Sequence, residues 1–222
     1  MNVRLEWTYR ESKRKHEYFM KSEFIPFTEA LQLADDLEKT GRLKEITFID
    51  EHDSSWSKKD LHRFLKSMET EPHQVHAFCD GGFDVSTKQA GLGIVIYYTQ
   101  HHKTWRIRHN EKIDYLVDNN EAEYAALLLL LQKLEDIGVH HQALVIHADS
   151  MVVINQASGE WPCYEEHYIP WLERIEKKLS NLGLKPSYQL VDRQENKEAD
   201  QLASQALRDI EISSVLEQVK LK

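Results

Sequence analysis

His147-Ala148-Asp149-Ser150-Met151-Val152-Val153, led in by Ala143-Leu144-Val145-Ile146, is an apolar run that ends on an acidic residue and turns into a helix. A buried strand of this kind presents a carboxylate at its C-terminal end, where open sheets collect ligand-facing groups. Three other acidic residues sit at comparable junctions: Asp80 after Val75-His76-Ala77-Phe78-Cys79, Glu123 within Asn119-Asn120-Glu121-Ala122-Glu123, and Asp200 within Asn196-Lys197-Glu198-Ala199-Asp200. Whether they meet decides what the chain can do.

Working outward from Asp149, the flanking pattern reads as strands 75–81, 91–98 and 103–109, helix 121–136, strand 143–147, helix 150–158, helix 167–181, strand 185–191 and helix 197–209. Leu127, Leu130, Leu131 and Leu134 give the first helix its apolar stripe. Three consecutive strands with modest turns predict an antiparallel meander, and strands joined by helical crossovers predict a mixed sheet of five strands with helices on both faces. The tail 209–222 reads as a helical extension packed through Leu216 and Val219. Upstream, residues 1–70 form a small α+β unit in the order β-β-α-β-α: strands 2–10 and 17–25, helix 29–39, strand 44–50 and a short helix capped by Ser57. The polar joint 69–74 separates it from a main domain over 74–208. Its basic cluster Arg10, Lys13, Arg14 and Lys15 is either a solvated hairpin tip or a patch that touches a phosphate backbone. Trp7 and Trp56 suit either a core or a binding role.

The net charge is −9 over 222 residues. Residues 1–70 carry 13 Lys/Arg against 14 Asp/Glu, so eight of the nine net negative charges fall in 71–222. Such a balance excludes a protein that grips nucleic acid by charge alone. No apolar run reaches membrane-spanning length, and the start Met-Asn-Val-Arg-Leu-Glu-Trp lacks the apolar region of a signal peptide, so a cytoplasmic protein with no membrane partner is expected. Cys79 and Cys163 are too few for a disulfide framework and read as reduced thiols. His101-His102 and His140-His141 read as exposed turns, and His147 as sheet packing.

Four carboxylates gathered at one cleft repel unless protonated or bound to cations. With oxygen ligands and no His/Cys set at zinc spacing, Mg²⁺ or Mn²⁺ is the natural partner. Two such ions about 3.5–4 Å apart can activate water and stabilise a leaving oxygen in phosphoryl displacement. The competing reading is that Glu123 and Asp200 merely complement helix dipoles.

Taken together, Cys79-Asp80-Gly81-Gly82, Asn119-Asn120-Glu121-Ala122-Glu123, Ala148-Asp149-Ser150 and Asn196 to Ala203 resemble, in order, the four signature segments of the type 1 ribonuclease H family, over roughly residues 74–208. The absence of a basic protrusion between the two middle helices is similar to the compact branch of that family. The resemblance implies an endoribonuclease that cuts the RNA strand of RNA–DNA hybrids with two metal ions, leaving 5′-phosphate and 3′-hydroxyl ends. It implies Asp80, Glu123, Asp149 and Asp200 as metal-binding carboxylates. Gly81, Asn119, Asn120, Met151, Trp161 and Arg193 become the hybrid-facing positions, Trp161 being alternatively connector packing. The N-terminal unit does not clearly match the small hybrid-binding domain attached to some members; its aromatics and basic loop leave an analogous accessory role in substrate binding open, and a monomer is expected. Two departures stand out. No His precedes Asp200 in Val191-Asp192-Arg193-Gln194-Glu195-Asn196, and Asp118 occupies a place where a hydroxyl residue often helps hold a DNA phosphate. Both point toward slow cleavage, and the alternative is a nucleic-acid-binding or regulatory protein on the same fold with weak or absent nuclease activity.

Overall fold

In a computed structural model the chain divides into two units, Met1–Glu69 and Thr70–Lys222. Residues 1–13 and 15–218 are described; Arg14 and Val219 lie outside them. In the first unit, β1 (Asn2–Arg10) pairs antiparallel with β2 (Glu17–Lys21), β3 (Ile25–Pro26) and β4 (Leu43–Asp50), and β4 pairs with β5 (Ser55–Trp56). The expected strand 17–25 is therefore broken: it stops at Lys21, where Ser22 turns its hydroxyl to accept from the Leu5 N–H and donate to the Glu23 carbonyl. Helices α1 (Phe27–Lys39) and α2 (Lys58–Thr70) supply Phe27, Ala30, Leu31, Ala34 and Leu61 to a core with Val3, Leu5 and Phe48. Trp7 and Trp56 pack against that core, and the Trp56 indole N–H donates to Asp50 at 2.9 Å.

The second unit is built on a sheet of six strands rather than five, in the order β10-β9-β6-β7-β8-β11. β6 (His73–Asp84), β7 (Gln89–Gln100) and β8 (Lys103–Asp114) form the antiparallel meander, and β9 (Ala143–Ala148) and β10 (Lys185–Leu190) join it in parallel through helical crossovers. The sixth strand corrects the reading of the tail. Ser213–Glu217 is not helical but forms β11, antiparallel to β8, with Val215 opposite Ile107. A helix there would leave the outer backbone of β8 unpaired; the added strand satisfies it. Leu216 is half exposed rather than packed.

Helix α3 (Asn119–Asp136) covers one face of the sheet, with α4 (Met151–Ala157) and α5 (Ile169–Leu182) alongside it, and α6 (Lys197–Leu207) covers the other. The stripe Leu127, Leu130, Leu131 and Leu134 is fully buried against Ala77, Cys79, Leu144 and Ile146. On the α6 face, Val95, Ala199 and Leu202 form a smaller cluster with Phe78. The close approach of α6 depends on Gly93, where a Cβ would lie 2.2 Å from the Ala199 carbonyl oxygen.

Candidate active site

The parallel ladder between β6 and β9 runs only from Val75↔Leu144 to Phe78↔His147. β6 continues six residues past Phe78, against β7 alone, because Gly81↔Leu92 and Asp84↔Gln89 extend the hairpin. Asp80 therefore lies within a strand rather than near its end, opposite Gly93, at the level where β9 has given way to Asp149. Ser150 caps α4 by accepting from the Val153 N–H, which fixes Asp149 at the strand–helix junction. Glu123 enters from the second turn of α3. Its Oε2 accepts the Gly81 N–H at 3.1 Å, and a Cβ at Gly81 would fall 2.3 Å from the Ala122 carbonyl carbon. Glycine is what lets the helix press its carboxylate onto this strand.

Asp80, Glu123 and Asp149 each offer an oxygen, and these oxygens lie within 4.8 Å of one another. Burial, then the negative charges of Asp149 and Asp200, push the Asp80 carboxyl up to about 7, against a weaker opposing pull from Arg193. Burial, then Asp80 and Asp149, likewise hold Glu123 well above the ordinary carboxylate range, opposed by the Gly81 N–H and Arg193. Ionised carboxylates this close and this dry call for a compensating charge. Oxygen ligands alone favour a hard divalent ion, so the donor set fits Mg²⁺ or Mn²⁺. Asp200, on the first turn of α6, is exposed and stands outside the group of three, although its charge is felt at Asp80.

The remaining expected positions differ in exposure and contacts. Gly81 is buried; Asn119, the first residue of α3, is exposed; Asn120 is half-buried and donates through Nδ2 to the Tyr168 hydroxyl at 3.3 Å. Met151 and Trp161 are exposed, and the Trp161 N–H is bonded to the Asn155 carbonyl at 2.9 Å. The Arg193 side chain is 91% exposed, with Nε 3.6 Å from Asp149 Oδ2.

Asp118, the residue out of place for a phosphate contact, caps α3. Its Oδ1 accepts the Glu121 N–H at 2.9 Å, and Glu121 in return accepts the Val117 N–H at 2.6 Å, a reciprocal capping arrangement. Asp118 Oδ2 takes the Tyr168 hydroxyl at 2.7 Å and lies 3.2 Å from His167 Nε2. Burial raises the Asp118 carboxyl, but the Glu121 N–H and the Tyr168 and His167 bonds outweigh it, so the group sits below its ordinary value. The same contacts leave the Tyr168 hydroxyl at about 12, through burial and then its bond to Asp118.

Asn196 is a site residue that sequence patterning did not single out. It is 1% exposed and its Nδ2 donates both to the Cys79 carbonyl at 3.0 Å and to Asp149 Oδ1 at 3.1 Å. It thereby ties the strand beside Asp80 to the carboxylate of Asp149. The only signal was its place at the head of the segment that carries Asp200. Cys79 is buried, and burial followed by the neighbouring carboxylates raises its thiol well above normal. His147 stacks on Phe78 with ring centroids 4.3 Å apart, which is sheet packing. Among the described residues no helix is long and apolar enough to cross a membrane.

Known proteins resemble this chain in sequence and fold. The reverse transcriptase-like family matches residues 78–206. The uncharacterized protein YpeP of Bacillus subtilis (strain 168) is 38% identical over 189 residues, 85% of this chain and 83% of its own length. RNase H1 from the halophilic archaeon Halobacterium salinarum superposes with a TM-score of 0.52 at 27% identity, covering 61% of this chain and 98% of that one. The N-terminal RNase H domain of a Mycobacterium tuberculosis protein gives 0.53 at 26% identity, covering 61% and 94%. An RNase H-like fold with a cluster of acidic residues supports hydrolase chemistry of the nuclease kind. The chain belongs to the reverse transcriptase-like family of RNase H-like proteins.

Proposed function

We propose that this protein is a metal-dependent endoribonuclease acting on the RNA strand of RNA–DNA hybrids and leaving 5′-phosphate and 3′-hydroxyl ends. The observation that carries the reading is the convergence of Asp80, Glu123 and Asp149, whose oxygens lie within 4.8 Å of one another. Two of these carboxyls, Asp80 and Glu123, are held above their ordinary range by burial first and then by neighbouring carboxylates, Asp149 acting on both.

Asp80, Glu123 and Asp149 would hold Mg²⁺ or Mn²⁺, with Asp200 contributing from the exposed side. When bound, such ions supply an activated water and charge stabilisation for an in-line phosphoryl displacement. The chain's own residues do the rest. Asn196 fixes the rotamer of Asp149, and the Gly81 N–H fixes that of Glu123. Gly81, Asn119, Asn120 and Met151 offer small, polar or exposed groups suited to the 2′-hydroxyls and sugar edges of the wide minor groove, which distinguish RNA without reading its sequence. Trp161 is exposed, and Arg193 is exposed beside Asp149, so both can meet the strands. The Asp118 carboxylate is already engaged by the Glu121 N–H and the Tyr168 hydroxyl, with His167 Nε2 at 3.2 Å, so it is occupied within the protein rather than presented free to a phosphate.

The test is cleavage of an end-labelled RNA–DNA hybrid in Mg²⁺ or Mn²⁺, compared with Asp149→Asn. Cleavage of the RNA strand only, lost in the variant with hybrid binding retained, is the expected result. Binding without cleavage across both metals would replace this reading with that of a nucleic-acid-binding protein on a nuclease fold. Neither cleavage nor binding would remove both.

A further inference from the structure

Among the described residues β2 lies at the edge of the N-terminal sheet, paired with β1 on one side only, and all five of its residues are exposed. Its sequence is Glu17-Tyr18-Phe19-Met20-Lys21. The three central side chains are large and apolar, yet Tyr18, Phe19 and Met20 are 52%, 68% and 45% exposed. Edge strands in soluble proteins are ordinarily blunted by charge, proline or bulges because their free backbone groups template further pairing. Here the two charges stand at the ends of the strand and have opposite signs.

The direction of the backbone groups follows from the bonds beside the strand. The Ser22 N–H donates to the Leu5 carbonyl at 3.0 Å, and the His16 carbonyl accepts the Glu11 N–H at 2.9 Å. In an antiparallel ladder successive residues alternate in which side their N–H and C=O face. The even-numbered residues of β2 therefore face β1, and the N–H and C=O groups of Glu17, Phe19 and Lys21 face outward. A second copy laid antiparallel, with Phe19 opposite its own counterpart, uses all of these groups. In that register Glu17 of each copy stands opposite Lys21 of the other, and Tyr18 stands opposite Met20. Both pairings are favourable across strands. Centring the axis on Tyr18 or Met20 leaves an end residue unpaired and loses the charge match. A parallel arrangement sets Glu17 beside Glu17 and brings the two basic hairpin tips, with Lys13 and Lys15, together. Lys44 steadies the Glu17 carboxylate at 2.9 Å, fixing one end of the edge.

We propose that β2 is a self-association edge, through which two copies of this chain join their N-terminal sheets about a two-fold axis at Phe19. The charge palindrome and the outward backbone groups select a second copy of the chain as the occupant. The contact is isologous, so it closes at two and does not propagate. A pair of five-residue strands buries less than about 1,000 Å², which places the dimer among weak, reversible associations.

Sedimentation of the full chain from about 1 to about 100 µM, the range in which so small an interface titrates, should show the mass rising toward twice the monomer value. Phe19→Pro removes an outward N–H and no bond to β1, so the hairpin is kept while dimerisation weakens by about tenfold or more. Glu17→Lys and Lys21→Glu should each be monomeric over the same range. An equimolar mixture of those two variants should dimerise again, because each supplies the charge that the other now needs. Unchanged far-UV circular dichroism checks the fold of each variant, and the two exposed charge reversals keep the test decisive if the proline variant misfolds. A wild-type chain that stays monomeric throughout overturns the proposal. So does a dimer that survives Phe19→Pro and both charge reversals, or a mixture that fails to reassociate.

Discussion

Replacing Asp80 by Asn should stabilise the metal-free protein at alkaline pH while abolishing the proposed cleavage. The Asp80 carboxyl sits at about 7 in the fold against 3.8 for an ordinary Asp, through burial first and then the charges of Asp149 and Asp200. The folded state therefore holds a proton that the unfolded chain has lost between those two values. Stability must fall as pH rises from about 4 to about 7 and then level off. At about 1.36 kcal/mol per pH unit the full displacement is worth at most about 4 kcal/mol. The three carboxylates share their protons, and an amide replaces one acceptor by a donor, so roughly half of that ceiling, about 2 kcal/mol, is the working figure. For a chain of this size it corresponds to roughly 4–8 °C in Tm. The assay is scanning calorimetry of wild type and Asp80→Asn in EDTA at pH 8 and again at pH 4. The variant should melt higher at pH 8, and the gap should close at pH 4, where the wild-type carboxyl is already neutral. Added Mg²⁺ should raise the wild-type transition more than that of the variant. An Asp80→Asn protein that is less stable at pH 8, or equally displaced at both pH values, would refute the electrostatic account of the site.

Other outcomes follow from single contacts. Asn196→Ala leaves the Cys79 carbonyl and Asp149 without their shared donor; a loss of about 1–3 kcal/mol in urea unfolding is expected. The same variant should show a fall in kcat larger than any change in KM. Gly93→Ala places a methyl group 2.2 Å from the Ala199 carbonyl oxygen, so α6 must shift. Destabilisation of about 3 kcal/mol or failure to fold is expected, read by circular dichroism. Changing Arg10, Lys13, Arg14 and Lys15 to Gln should weaken hybrid binding and flatten its salt dependence if the N-terminal unit serves as a substrate-binding accessory. Each lost phosphate contact lowers the slope by roughly 0.9 for B-form duplex, and an unchanged slope removes that role.

Much of the second unit was legible because its strands are apolar runs punctuated by Gly, Asn and Ser, and its helices carry long stripes such as Leu127 to Leu134. The tail was misread because Leu216 and Val219 sit at helical spacing. What decides the conformation of 213–217 is instead the vacant edge of β8, a partner more than 100 residues away that local periodicity does not record. β6 was cut short at Gly81 for a related reason: its apolar pattern ends there, but backbone pairing with β7 carries it on to Asp84. At the site, carboxylates were readable as acids placed at element junctions, and the structure gathers Asp80, Glu123 and Asp149 most tightly. Asn196, His167 and Tyr168 were not readable in the same way, because their parts are set by partners 47 to 117 positions distant.

The mismatch in length between β6 and β9 has an architectural meaning. Had β9 continued alongside β6 past His147, its backbone would have occupied the place where Asp149 now turns inward, and hydrogen bonding would have sealed the space beside Asp80. The space beside Asp80 is a notch left by an unfinished strand. Its depth is counted in residues, so a single insertion before Asp149 would do more than lengthen a loop: it would carry the carboxylate out of the notch or zip the notch shut. Strand length, a property usually assigned to stability, here sets the position of the clustered carboxylates.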